Sequence, residues 1–376
     1  MGVRVVDVVV VGAGVIGAAC ADALSSAGLR VTVLDRGPLA SGTSAAGEGN
    51  ILVSDKEPGP ELDLALSSLS RWPTLVGDTD IEWDPKGGLV VATGDPAPLA
   101  HFAAVQREAG IDARWITPAE ALEREPHLTT RVTAAVHYPQ DAQVQPVLAT
   151  QALLSNVRRR GGVLRPGVTV VGLDARGVHT SEGIIACDHV VNACGPWSGE
   201  VSRTLGAPIA IAPRRGMVLV TAPLPPTVRH KVYDADYVGA VASGDADLQT
   251  STVVESTAAG TILIGSSRER VGFDESIRVR VLRELARKAV ALFPTLADVP
   301  VMRAYGGFRP YAPDHLPVIG PDPRVPGLWH ATGHEGAGIG LAAATGALLA
   351  ELLTGVTPHL DPTPFRVDRP GVLECA

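Results

Sequence analysis

The chain has 376 residues, 45% of them apolar and 19% charged, which excludes a disordered protein and supports about two domains with a large buried interior. A net charge of −8 argues against a nucleic-acid or anionic-membrane surface. The 41 glycines and 30 prolines show no G-x-y period, which excludes collagen and implies many tight turns.

In chain order, residues 5–11 are an apolar, β-branched run, as in a strand buried on both faces. Asp7 interrupts it, and glycines rather than a signal-peptide cleavage site follow. Gly12, Gly14 and Gly17 lead into helical spacing over 18–27, which stops at Gly28, and residues 31–34 form a second buried strand ending on Asp35. This is a βαβ unit. Residues 61–72 read as a helix with Leu62, Ala65, Leu66 and Leu69 on one face. Strands are expected over 87–93 and 134–137, with a helix near 97–109 between them. Residues 146–160 form a helix that opens on Pro146 and closes on Arg158, Arg159 and Arg160 before Gly161. β-rich segments follow at 163–171 and 177–185, then an apolar strand over 189–193. Strands and turns run through 216–265, an amphipathic helix over 275–292, and a final strand–turn–helix over 328–354. The apolar run 337–353 is read as too short to span a bilayer comfortably, so no membrane anchor is expected. Cys20, Cys187, Cys194 and Cys375 are scattered, without metal-ligand or disulfide spacing, and a reducing cytoplasm is the expected setting. No repeat or linker divides the chain, which predicts interleaved domains.

The first glycines have a chemical reading. Gly12 permits the tight turn, Gly14 lets backbone approach a pyrophosphate, and Gly17 allows close packing of helix on strand. The helix N-terminus, with Val15 and Ile16, offers N–H groups and partial positive charge to phosphates. Asp35, with Arg36 beside it, is placed to accept from ribose hydroxyls, and an acid there disfavours a 2′-phosphate. Strand, glycines, helix and acid in register point to a dinucleotide rather than to a ligand-free turn.

The fingerprint does not separate NAD from FAD, but three further segments do. GTSAAGEGN (42–50), VVNACGPWS (190–198) and ATGHEGAGIGLAAATGALL (331–349) resemble the D-amino-acid-oxidase-like flavoproteins. The resemblance is greatest to the glycine oxidase, sarcosine oxidase and hydroxyproline dehydrogenase branch, and it runs from residue 5 to about 365. It implies an α/β fold with a Rossmann-like FAD-binding domain on a doubly wound parallel sheet, residues 1–84, 144–214 and 305–376. An interleaved α+β substrate domain on an antiparallel sheet would take residues 85–143 and 215–304. The resemblance further implies that Thr43, Ser44, Ala46, Gly47 and Glu48 run along the flavin ring. Ala193, Gly195 and Trp197 would pack under the cofactor, and the Val168 backbone would meet the adenine. His334, Glu335, Gly336, Ala337, Gly338, Ile339 and Gly340 would lie beside the pyrimidine ring, His334 through its backbone. On physical grounds alone, Gly336, Gly338 and Gly340 leave the N–H groups of the last helix uncovered, where negative charge on a reduced flavin would be stabilised. No Cys or His stands near 44–49, so the FAD is expected to be non-covalent.

In RAYGGFRPYAPDHLPVIGPD (303–322), Arg309 matches the arginine that grips the substrate carboxylate in glycine oxidase-like enzymes and would also border the cofactor. Its planar fork suits two parallel charge-assisted bonds. Asp314 and Gly320 read as turn and packing residues. Gly336 stands where similar glycine oxidases carry a second arginine, which predicts a more open pocket for an N-substituted glycine or a cyclic secondary amine. Glu48 could take a proton from a substrate ammonium, although a loop residue bonded to backbone is the favoured reading. The expected activity is FAD-dependent oxidation of a small amino acid or N-substituted glycine, by hydride transfer and imine hydrolysis, with O2 as acceptor. SDKEPGPEL (54–62) and GSSRERVGFD (265–274) instead resemble proline, hydroxyproline or opine dehydrogenases and cyanide-forming enzymes. A dehydrogenase passing electrons to a partner or quinone is therefore the first alternative, a non-catalytic FAD redox module the second, and an NAD-dependent dehydrogenase the third. No metal, nucleic-acid or membrane partner is expected, and a homo-oligomer is left open.

Overall fold

The computed structural model describes residues 7–77, 79–235 and 245–374; the expectations for residues 5 and 6, Cys375 and part of 216–265 fall outside them. The first sheet has six strands, in the order Val318–Pro321, Leu328–Thr332, His189–Asn192, Asp7–Val11, Arg30–Asp35 and Val163–Pro166. All pair in parallel except the first two. The central strands are apolar at most positions because both faces are covered. Val8, Val10 and Val33 pack under the helices Val15–Ser26, Pro60–Val76, Pro146–Arg159 and Gly338–Thr354. Val9, Val11 and Leu34 pack beneath a three-stranded sheet (Val170–Asp174, Gly177–Thr180, Gly183–Ile185) and the helix Ser198–Thr204.

Two glycines allow close approaches in this layer. A Cβ on Gly346 would lie 2.4 Å from Ala19 O on the first helix, and one on Gly17 would lie 1.9 Å from Gly12 O. Taken with its preceding turn, Glu335–Thr354 is long and apolar enough by composition to cross a membrane, which corrects the reading of this run as too short. Most of it is buried inside the protein, against Val15–Ser26 and Pro60–Val76.

The second sheet has eight strands, in the order Val301–Tyr311, Ala212–Thr221, Ile262–Arg268, Gln249–Ser256, Lys231–Asp234, Gly88–Ala92, Ala134–Tyr138 and Arg114–Ile116. Lys231–Asp234 pairs in parallel with Gly88–Ala92, and the other described pairs are antiparallel. One face, including Leu219, Val254 and Ile264, packs on the amphipathic helix Val279–Leu292. The opposite face, with Val90, Val136, Tyr138 and Tyr233, joins the core of the first sheet.

The amphipathic helix starts at Val279 rather than 275, because Arg278 is still extended at φ −98°, ψ 108°. The segments 163–171 and 177–185 each break into two strands. Pro118–Arg124 is a further helix, too short for apolar spacing to reveal. Its capping box, Thr117 with Glu120, is the signal it leaves in the sequence. The strands Ala212–Thr221 and Val301–Tyr311 run through the expected divisions at 214/215 and 304/305. Because these two strands pair along nearly their whole length, we propose divisions at 211/212 and 311/312.

Candidate active site

The chain turns at the C-terminal end of the first strand, where Gly12 adopts φ 107° and a Cβ would lie 2.4 Å from Ala193 O. Only glycine fits that approach. The Ala13 N–H donates to Asp35 Oδ2 at 2.8 Å, and Gly37 N–H donates to Asp35 Oδ1 at 2.8 Å. Asp35 thus braces two turns while bordering the cleft between them. Ser44 Oγ accepts from Val15 N–H at 2.9 Å and caps the first helix from a distant loop.

The cleft encloses about 410 Å³. Gly12, Gly14, Val15, Ile16, Asp35 and Arg36 line it from the βαβ unit, and Thr43 and Ser44 from the next loop. Val168, Ala193, Gly195, Trp197, His334, Glu335 and Gly338 complete most of the wall. Thr169, Glu200, Val201, Thr204 and Pro310 also line it, and sequence reasoning missed them; Ser198–Thr204 is one short helix without a motif. Trp197 stacks on Phe273 at 5.3 Å with 5° between planes, and the Arg36 guanidinium lies 4.7 Å from the Trp197 ring centroid.

Several expected residues do not line this cleft. Gly17 packs beneath the turn. Ile339 and Gly340 lie inside the last helix, where the Ile339 carbonyl accepts from Trp72 Nε1 at 3.2 Å and Gly340 approaches Asn50. Ala46 borders a second cleft with Arg303, Tyr305 and Phe308. Gly47 and Glu48 border a third with Glu82, Asp84 and Tyr305. Gly336 and Ala337 border a fourth with Lys56, Glu61, Arg268 and His315.

His334 is buried, with Nε2 3.0 Å from Thr345 Oγ1. Burial pushes its imidazole down to about 3, so it stays neutral at neutral pH and is not poised as a base. Its Nδ1 is buried without a partner among the described residues, on a residue of the cleft wall. That orphaned atom, the glycine turn and the Asp35 carboxylate fit an FAD. Gly12 and Gly14 would take the pyrophosphate, Asp35 the ribose, and the 334–338 turn the flavin.

Arg309 stands on the strand Val301–Tyr311, next to Pro310 of the cleft wall. Its Nη1 donates to Ser267 O at 2.8 Å. A Cβ on Gly216 would lie 2.3 Å from Nη1, and one on Gly336 would lie 3.3 Å from Nε. The guanidinium therefore occupies a slot between two glycines. Arg214, its cross-strand partner, is fully buried and donates to Glu335 Oε2 at 2.9 Å. Glu335 Oε1 faces His315 Nδ1 at 2.7 Å. Sequence reasoning missed Arg214, although an arginine doublet directly before Gly216 was its signal. Among the described residues, the Glu48 side chain makes no bond to backbone, which differs from the favoured reading of that residue. Its Oε2 accepts from Asn50 Nδ2 at 3.3 Å, and its Oε1 is buried without a partner among the described residues.

The fold and cleft define a class of protein. A family model described as FAD dependent oxidoreductase matches residues 7–352, and the chain belongs to that family. It is an FAD-dependent oxidoreductase. Among its relatives, the glycine oxidase of Pseudomonas aeruginosa is 32% identical, covering 95% of this chain and 97% of its own. The hydrogen cyanide synthase subunit HcnC of the same species is 29% identical, over 97% of this chain and 96% of its own. The crystal structure of glycine oxidase from Geobacillus kaustophilus superposes with a TM-score of 0.88 at 27% identity, covering 98% of this chain and 99% of that one.

Proposed function

We propose that the protein oxidises a small amino carboxylate at its carbon–nitrogen bond, with an N-substituted glycine or cyclic secondary amine preferred over glycine. The carrying observation is Arg309, a forked cation held between Gly216 and Gly336 beside the cleft that fits FAD. FAD, when bound, supplies a two-electron acceptor that takes the α-hydrogen as hydride. Arg309 grips the carboxylate and so fixes the α-carbon in one orientation. Gly336 leaves space where a long side chain would crowd both Arg309 and a nitrogen substituent. The buried walls around His334 exclude water while the hydride moves. The product imine is hydrolysed to an oxo acid or aldehyde and an amine, and O2 is reduced to peroxide. The unpaired thiols of Cys20, Cys187 and Cys194 support a reducing, cytoplasmic setting.

A second reading is a dehydrogenase that passes electrons to a partner or a quinone. The cleft shared by Ala46, Tyr305 and Phe308 favours it, because it gives a planar acceptor a route to the flavin loop separate from Arg309. Anaerobic titration of the yellow protein with glycine, sarcosine and proline, followed by admission of air, tests both readings. Bleaching by sarcosine or proline at lower concentration than glycine, with colour and peroxide returning in air, is expected. A strong preference for glycine overturns the open-pocket argument, and slow recovery without peroxide favours the dehydrogenase. A flavin that no amine bleaches overturns both.

A further inference from the structure

Glu48 and Glu255 are two carboxylates brought to one point of the sheet by distant parts of the chain. Glu48 follows the turn Thr43–Ala46, and its Oε1 lies 2.5 Å from where a Cβ on Gly265 would be. Its carboxylate fills the slot that this glycine leaves. Glu255 is on the neighbouring strand, where Val253 pairs with Gly265 and Glu255 with Leu263. Gly265 and Glu255 therefore share a face one diagonal step apart. Glu255 is fully buried, and its Oε2 accepts from Lys231 Nζ at 3.2 Å. Its Oε1, like that of Glu48, is buried with no partner among the described residues.

Among the described residues, the other cations near the pair are engaged with further partners. Lys86 is turned to Asp84 at 3.0 Å and to Ser256 O at 2.6 Å. Arg303 lies over the Tyr305 ring at 5.2 Å. Tyr305 itself is lifted by burial and by both glutamates. Two carboxylates facing chiefly Lys231 cannot both ionise cheaply, so the neutral form of one is favoured. In keeping with this, burial and the charge of Glu48 raise the Glu255 carboxyl against the pulls of Lys231 and Lys86.

The pair is also placed to meet a substrate. Gly265, beside Glu48, and Ser267, whose carbonyl accepts from Arg309, lie two residues apart on one strand, roughly 7 Å. An α-amino carboxylate held by Arg309 can span that distance with its nitrogen towards Glu48. We propose that Glu48 and Glu255 form a proton-sharing pair that deprotonates the substrate ammonium, Glu48 as the contacting carboxylate and Glu255 as its positioning partner. This rests on the amino-carboxylate reading above. The ammonium N–H bond breaks, an O–H bond forms on Glu48, and the nitrogen keeps the lone pair that becomes the C=N bond as hydride departs. The proton then leaves through the cleft that Glu48 shares with Glu82 and Asp84.

The test uses the FAD-loaded enzyme in two arms. Infrared titration without substrate should show a second protonated-carboxyl band near neutral pH, beyond the one that Asp141→Asn removes, and Glu255→Gln should remove it. Its absence from the wild type overturns the proposal even if the variant fails to fold. The second arm follows anaerobic flavin reduction by sarcosine against pH. The wild type should reach a plateau near neutral pH, whereas Glu48→Gln should keep rising about tenfold per pH unit towards the pKa of the free amine. Glu255→Gln should move the acid limb to lower pH by at least about one unit. Unchanged pH profiles in both variants overturn the proposal. A wild-type flavin that sarcosine does not reduce overturns the functional reading instead, and the infrared arm then decides the carboxylate pair alone.

Discussion

At the scale of single residues, Arg309 owes its position to neighbours that lack side chains. Gly216 and Gly336 leave room on either side of the guanidinium, and Ser267 O fixes one of its nitrogens. Arg309→Ala should lower kcat/KM for an amino carboxylate about 100-fold or more, equivalent to roughly 3 kcal/mol of charge-assisted bonding, with FAD content unchanged. Steady-state kinetics beside the flavin spectrum of the purified variant would check both parts. Gly336→Arg should press a long side chain onto Arg309. The KM for sarcosine should then rise about tenfold more than that for glycine, a difference of about 1.4 kcal/mol; equal changes would contradict the open-pocket argument. Arg309 was legible in the sequence because GGFRP is a local motif. Arg214 was not, because its partner Glu335 lies 121 residues away and burial of an arginine depends on that pairing.

Among the elements, the βαβ unit and the last helix were legible because their signals are local: apolar runs, glycine turns and helical spacing. The strand Val301–Tyr311 was not. Gly306, Gly307 and Pro310 read as turn residues, and the strand exists because it pairs with Ala212–Thr221. The contact between the first and last helices rests on Gly346, where an added Cβ would meet Ala19 O at 2.4 Å. The obstacle is backbone, which cannot swing aside as a side chain would. Gly346→Ala should therefore cost about 1–3 kcal/mol, measured by denaturant unfolding of the FAD-loaded protein. An unchanged midpoint would contradict so close an approach of the two helices.

Over the whole molecule, a buried polar network ties the second sheet to the loop before the helix Pro60–Val76, which packs on the first sheet. Asp141, in the loop after Ala134–Tyr138, accepts from Val53 N–H at 2.9 Å and from the Ser54 hydroxyl, which in turn accepts from Tyr233. Tyr138 donates to Gln106 Oε1 at 2.6 Å, and Gln106 Nε2 donates to Lys56 O at 2.8 Å. Burial pushes the Asp141 carboxyl up to about 7. Because its folded value lies above its unfolded one, the native state holds this proton where the unfolded chain has lost it. Its contribution is complete below the ordinary aspartate range and fades as pH rises to about 7. Relative to Asp141→Asn, the wild type should lose stability over that window, by at most about 1.4 kcal/mol for each pH unit crossed. Parallel unfolding curves across the window would contradict this. That the first sheet gathers strands from separated parts of the chain was legible because flavin-loop motifs occur in three such parts. The network was not, since Ser54, Gln106, Asp141 and Tyr233 carry no shared spacing.

The central claim is that a carboxylate held by Arg309 presents its α-carbon for oxidation. The most direct measurement compares anaerobic flavin reduction by sarcosine and by dimethylamine, its counterpart without the carboxylate, in the wild type and in Arg309→Ala. The wild type should reduce far faster with sarcosine, by about 100-fold or more, and the variant should lose most of that advantage while treating dimethylamine as before. Equal rates for the two amines in the wild type, or an advantage that survives removal of Arg309, would contradict the account.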